Sequence, residues 1–166
     1  MEKQSRRKVL KNVAAMAVGT AGAAALVPQA EAQKAQGAKK KPIPWTPPGP
    51  APAATTPAAA PLPFTGIITF GNLVFLSGVG AHFKGTIEEH TKHVLDEIED
   101  KLKAAGSSMD KVLKVNVYLS DLANYSRMNA VYAGRWGSVP PVRTTIAAAG
   151  GIPGDSLVEI DCIASI

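Results

Sequence analysis

The chain has 166 residues, a formal charge of +5 and a sequence pI near 9.4, with 46% hydrophobic but only 5% aromatic residues, a length that allows one ordinary domain plus extensions. The charge is unevenly spread: 1–32 carry five Lys/Arg and two acids, 33–61 carry four lysines and no acid, and 62–166 carry nine basic and eleven acidic residues, a net −2. The basicity therefore does not read as a nucleic-acid footprint on a folded face, and the single Cys162 excludes an internal disulfide and a Cys-based zinc cluster.

Ser5-Arg6-Arg7-Lys8-Val9-Leu10-Lys11 precedes an Ala-rich, charge-free run from Val13 to Val27, and Ala30-Glu31-Ala32 follows as a small-x-small cleavage pattern. Basic, apolar and cleavage regions in that order make a tripartite export signal. The paired arginines resemble the twin-arginine motif, which routes folded proteins across the bacterial inner membrane. The apolar run, at fifteen residues, falls short of the roughly 20 that a spanning helix needs. Membrane contact is therefore expected only in transit, the location periplasmic or otherwise exported, and the mature terminus at Gln33.

From residue 33 to 61 a Lys39-Lys40-Lys41 cluster leads into a Pro/Ala-rich stretch, with nine prolines between Pro42 and Pro63 and one aromatic, Trp45. Proline fixes φ and removes backbone donors, so this segment predicts an extended, disordered linker in which Trp45 is incidental. The domain proper is expected over 62–166.

Two short β-rich runs, 66–70 and 73–77, flank Gly71-Asn72, a hairpin signal because both residues tolerate φ > 0. Thr86 with Glu89 makes a capping box, and Val94, Ile98, Leu102 and Ala105 recur at helical spacing before Gly106, predicting a helix over 87–105. Residues 112–119 alternate as a strand, with Leu113, Val115, Val117 and Leu119 assigned to one face. Asp121 can cap a second helix whose stripe is Leu122, Tyr125, Met128, Tyr132 and Trp136. Pro140-Pro141 ends it and forces an extended segment over 142–148. A final strand runs over 156–166 with Val158, Ile160, Cys162 and Ala164 facing one way. The order ββαβαββ predicts an α+β fold, a mostly antiparallel sheet with two helices on one face.

Arg143 and Glu159 stand where a β pattern would prefer apolar residues. From pattern alone they are solvent-facing strand positions, a cross-strand ion pair, or a site.

Leu73-Val74-Phe75-Leu76-Ser77-Gly78, the Ala104-Ala105-Gly106 helix end, the 112–121 strand, Met128-Asn129-Ala130-Val131-Tyr132, Pro140-Pro141-Val142-Arg143-Thr144-Thr145 and Val158-Glu159-Ile160 occur in order across nearly all of 62–166. Together they resemble the Rid (YjgF-type) family of enamine/imine deaminases. The resemblance implies a chorismate-mutase-like trimer with clefts between subunits, hydrolysing 2-aminoacrylate and related 2-imino acids to 2-oxo acids and ammonia without metal or organic cofactor. It implies that Arg143 clamps the substrate carboxylate with paired donors and that Glu159 activates the attacking water and assists proton transfer. Gly78, Thr145 and Asn129 would help to hold the ligand, with Ser77 and Phe64 lining the site. The chain departs from the family pattern at Phe64, where a Tyr is common, at Thr145, where Cys or Ser is common, at Val79 in place of Gln, and in a short loop from Gly80 to Gly85.

His90 and His93 are read as solvated helix-surface residues and no metal is expected, Cys162 as a small buried hydrophobe, and Tyr125, Tyr132 and Trp136 as packing against the sheet. The acidic run Asp96-Glu97-Glu99-Asp100 reads as a solvated face with spaced ion pairs. The leading functional expectation is an exported imine/enamine deaminase. The alternatives are a trimer that binds small 2-oxo or amino acids without chemistry and, last, an endoribonuclease, which a −2 domain lacking a basic groove fits poorly.

Overall fold

The computed structural model describes residues 38–46 and 63–166; the expected export signal, and the expected linker apart from 38–46, lie outside the described residues. The elements run β1 (Lys41–Pro42), β2 (Ile67–Phe70), β3 (Leu73–Gly80), α1 (Ile87–Ala104), β4 (Val112–Leu119), α2 (Tyr125–Tyr132), β5 (Val142–Ala147) and β6 (Val158–Ser165). They build one six-stranded sheet in the order β1-β2-β3-β6-β4-β5, antiparallel except for the parallel β4–β5 pair. The α+β architecture expected from the pattern is the one present, with one strand added at its start.

That added strand corrects the reading of 33–61 as wholly disordered. Lys41 pairs with Thr69 and Pro42 with Ile68, and the Ile43 amide donates to the Ile67 carbonyl at 3.0 Å. Trp45 is half-buried beside the core, with the Lys101 ammonium 4.7 Å from its ring centroid. The prolines misled because β1 lies at the sheet edge, where a residue without an N–H leaves no central ladder bond unmade. Trp45 is thus a packed residue.

Gly71-Asn72 closes the β2–β3 hairpin as expected, with Gly71 at φ 62. The capping box opens α1, Thr86 N–H donating to Glu89 Oε2 at 2.7 Å and Glu89 N–H to Thr86 Oγ1 at 3.3 Å. The helix lays Ile87, Val94, Leu95, Ile98 and Leu102 against the sheet, all buried, and ends where Gly106 takes φ 79 and Ser107 N–H returns to the Leu102 carbonyl. On its outer face Lys92–Asp96 and Lys103–Glu99 form the expected ion pairs, while Lys101 is drawn under Trp45 and pairs with Glu97 at 2.7 Å.

Two strand and helix assignments shift. A register irregularity between Val112 and Lys114 buries Val112 and turns Leu113 outward, so the core face of β4 is Val112, Val115, Val117 and Leu119. One extra residue reverses the alternation. The second helix is also shorter than its stripe: Asp121 caps a 3-10 turn over Leu122–Asn124, α2 ends at Tyr132, and Ala133 is extended before Gly134 at φ 78. Met128, Tyr132 and Trp136 reach the core, but Leu122 and Tyr125 are exposed. On β6, Val158, Ile160, Cys162 and Ala164 are buried as expected.

Both helices lie on the face of the sheet that carries this core. The other face shows Phe75, Ile163, Val142 and Ile146 together with Asn116, Tyr118, Glu159 and Asp161, and no helix among the described residues covers it.

Candidate functional site

Strand β5 is an edge strand, and its pairing with β4 sets Arg143 opposite Val115 and Thr145 opposite Val117, both core-facing positions. Arg143 and Thr145 therefore point to the helix side, under α2. The crossover from β4 through α2 to β5 sets the helix above that edge. Three α2 residues on one helical face meet the guanidinium: Nη1 donates to Asn129 Oδ1 at 2.8 Å, Nη2 donates to the Tyr125 hydroxyl at 3.1 Å, and the Tyr132 ring centroid lies 4.6 Å from Cζ. A cation over an aromatic face, with two hydrogen bonds fixing the fork, is held in one orientation.

Leu122, Tyr125, Arg143 and Thr145 line an open cleft of about 520 Å³. The Thr145 Oγ1 atom is buried with no hydrogen-bond partner among the described residues. Burial pushes the Tyr132 phenol up to about 12, so it stays protonated beside the cation. A guanidinium has five N–H groups and two are engaged here, leaving donors for an anionic ligand.

Glu159 belongs to a different surface. It pairs with Tyr118 on one side and Gly80 on the other, on the face away from the helices. Its carboxylate lies across Gly78, where an added Cβ would collide with Oε1. Gly78 sits at the irregularity between Leu76 and Val79, which leaves bare backbone beside the carboxylate. Next along the strand, Asp161 accepts from Asn116 Nδ2 at 2.8 Å and from the Tyr118 hydroxyl at 3.1 Å. Burial and then the hydrogen bond to Asp161 raise the Tyr118 phenol above its ordinary range.

Arg143 and Glu159 thus do not meet within one chain. Glu159 is level with Ile146 through Tyr118, three residues along β5 from Arg143 and two strands away. Strand rise and spacing put the two Cα atoms about 14 Å apart, and the side chains leave opposite faces. Asn129 and Thr145 join Arg143, Gly78 joins Glu159, Ser77 is half-buried on β3 two positions before Val79, and Phe64 is 67% exposed just before β2.

The family model described as endoribonuclease L-PSP matches residues 54–166, which spans both surfaces. The chain belongs to this family. A RutC family protein of Pyrococcus horikoshii is 38% identical over 109 residues, 61% of this chain and 86% of that protein. The chloroplastic Reactive Intermediate Deaminase A of Arabidopsis thaliana is 34% identical over 111 residues, 63% of this chain and 59% of that one. Among solved structures, the Rid family protein YyfA of Yersinia pestis superposes with a TM-score of 0.64 at 27% identity, covering 77% of this chain and all of that one. The L-PSP fold is chorismate-mutase-like, as the motif order implied.

Two features of this L-PSP domain escaped the sequence reading. Tyr125 is no sheet-facing packing residue: it is 42% exposed and lines the Arg143 cleft. The available signal was the 125, 129, 132 spacing, one helical face, above a strand that a right-handed crossover must place beneath it. His90, read as solvated, is 1% exposed; Nε2 lies 2.8 Å from the Phe83 carbonyl and Nδ1 accepts the Leu157 amide at 3.0 Å. Those bonds place the proton on Nε2 and staple the 81–86 loop to the start of β6.

Proposed function

We propose that this L-PSP protein hydrolyses small 2-imino acids, of the 2-aminoacrylate-derived type, to 2-oxo acids and ammonia, at sites completed between protomers of a homotrimer. The observation that carries the proposal is Arg143, a guanidinium oriented by Asn129, Tyr125 and Tyr132 at a sheet edge and opening into a cleft. A planar fork suits a carboxylate's two oxygens, and the edge position lets a second copy bring its open sheet face alongside.

In that arrangement Arg143 of one protomer holds the ligand carboxylate while Glu159 of the next, with the bare backbone at Gly78, faces the imine carbon. Water attacks C2 as Glu159 takes one of its protons, and the C=N electron pair moves to nitrogen. The proton held by Glu159 passes to that nitrogen, giving a carbinolamine; Glu159 then takes the hydroxyl proton as the oxygen re-forms a C=O bond and delivers it to the same nitrogen, and the C–N bond breaks to release ammonia. No redox partner is needed. The name of the Arabidopsis relative, a reactive intermediate deaminase, supports the same reading. The N-terminal Arg6-Arg7 signal supports action after export, with Gln33 as the mature terminus, which mass spectrometry of the exported form checks.

A second reading, a binding protein without turnover, is favoured by the opposite facing of Arg143 and Glu159 within the chain. The endoribonuclease in the family's name is disfavoured by the net −2 of 62–166 and by two carboxylates on the open sheet face. The deciding experiment generates 2-iminopropionate with an amino-acid oxidase and follows imine decay. Acceleration by the wild type that is lost in both Arg143→Ala and Glu159→Gln supports hydrolysis. Tight 2-oxobutyrate binding without acceleration supports the binding protein, and sedimentation as a stable monomer removes the shared site.

A further inference from the structure

The Tyr125 hydroxyl stands on the wall of the Arg143 cleft with its hydrogen-bonding capacity only partly spent. Its oxygen accepts from Arg143 Nη2 at 3.1 Å, and its ring stands 42% exposed on the cleft wall beside Leu122. A phenol that accepts from a cation still has its own O–H to give. Nothing among the described residues takes that proton, and the cleft lies in front of it.

We propose that Tyr125 touches the ligand directly, donating its O–H to the same carboxylate that Arg143 pairs with, so that the anion is held by a guanidinium–phenol pair instead of by the guanidinium alone. The inference deepens the deaminase reading and rests on the carboxylate site assigned there. The hydrogen bond from Arg143 Nη2 and a donated bond to the ligand can be made at once, and accepting from a cation polarises the O–H that is donated. The Asn129 amide and then the Arg143 charge hold the Tyr125 phenol below the usual tyrosine range, which makes it a better donor. Leu122, 55% exposed at the mouth, offers the ligand's carbon chain an apolar wall on the same side. A carboxylate is the ligand class that satisfies both groups, since each of its oxygens can take one partner.

The test is calorimetric titration of 2-oxobutyrate into the full folded protein, wild type and Tyr125→Phe, with a structure of the 2-oxobutyrate complex. Tyr125→Phe keeps the ring and removes the donor. It is expected to weaken binding about five- to tenfold, the size of one charge-assisted hydrogen bond. In the complex the phenolic oxygen is expected within about 3 Å of a carboxylate oxygen. Equal affinity of wild type and Tyr125→Phe, or a carboxylate seated on Arg143 and out of hydrogen-bond reach of Tyr125, overturns the inference and leaves the deaminase reading standing. Failure of the wild type to bind 2-oxobutyrate at all overturns both.

Discussion

The Glu159 carboxylate rests on the bare Cα of Gly78, at the point where β3 carries one residue more than β6. The contact leaves no room for a methyl group. Gly78→Ala is therefore expected to push the flexible carboxylate end aside at little cost in stability, since Gly78 is exposed, and to remove imine hydrolysis with it. Gly71→Ala is the matched control: its added Cβ meets nothing within 4 Å, although φ 62 makes it a strained site too. Loss of activity in Gly78→Ala but not in Gly71→Ala, at similar melting temperatures, places the effect at Glu159. Equal activities show that Glu159 needs no fixed seat.

Arg143 is held by geometry that a lysine cannot copy. Its two η nitrogens reach Asn129 and Tyr125 while its plane lies over Tyr132. Arg143→Lys retains the charge but presents a point cation without the fork. It should lower 2-oxobutyrate affinity by about one to two powers of ten, equivalent to roughly 1.5–3 kcal/mol. Stability should change little, because the released groups border an open cleft where water can replace the lost bonds. A lysine variant that binds like the wild type would reduce the site to simple charge attraction.

The sheet and both helices were legible because alternation, the Thr86–Glu89 capping box and the Gly71-Asn72 turn each act locally, whereas Arg143 and Glu159 stood out only as polar breaks in a β pattern and took their roles from the family resemblance. What escaped were effects of tertiary contact. Leu113 was assigned inward because an irregularity in β4 cannot be seen without its partner strand. Trp136 continued a helical stripe in sequence although Gly134 ends the helix before it. The strand at Lys41–Pro42 was hidden by its proline content, and only the free edge of β2 makes it possible. That Arg143 and Glu159 leave opposite faces follows from the register of β4 with both neighbours, which no single-strand pattern contains.

His90 should be the most costly polar residue to remove. It is buried, and both ring nitrogens are used, so His90→Ala strands the Leu157 amide as well as opening a cavity. Losing a buried partner costs about 1–3 kcal/mol before the cavity adds to it. His93→Ala, on the exposed side of the same helix, should stay within about 0.5 kcal/mol. Denaturant midpoints for the two variants check the contrast, and equal shifts would show that the staple between the 81–86 loop and β6 does not contribute.

The N-terminal strand can be tested without touching the site. Trp45 packs against the core edge with Lys101 over its ring, and Lys101 is in turn paired with Glu97. Trp45→Ala should cost about 1–2 kcal/mol by lost burial and cation–π contact. Removing everything before residue 63 should cost at least as much, because the edge of β2 is then uncovered. Unchanged thermal unfolding of either variant would return 38–46 to the role of a simple tether.

Cys162 gives a pH dependence whose sign is fixed by burial. It is 1% exposed on β6, and burial first, then the Asp161 charge, push its thiol from 9.0 up to about 12. Below pH 9 the thiol is protonated in both folded and unfolded chains and contributes no slope. Between pH 9 and about 12 the unfolded chain loses this proton and the folded chain keeps it, so stability falls as pH rises. By pH 10 the loss from this group is about 1 kcal/mol. Cys162→Ala is expected to be less stable than wild type at pH 8 through its cavity, yet to lose less stability between pH 8 and 10. The same burial predicts that iodoacetamide leaves the native thiol unmodified at pH 8 and reacts once denaturant unfolds the chain. Rapid native alkylation, or identical pH slopes for wild type and Cys162→Ala, would show that the thiol is reachable by water and that the core between β6 and α1 opens far more readily than its packing implies.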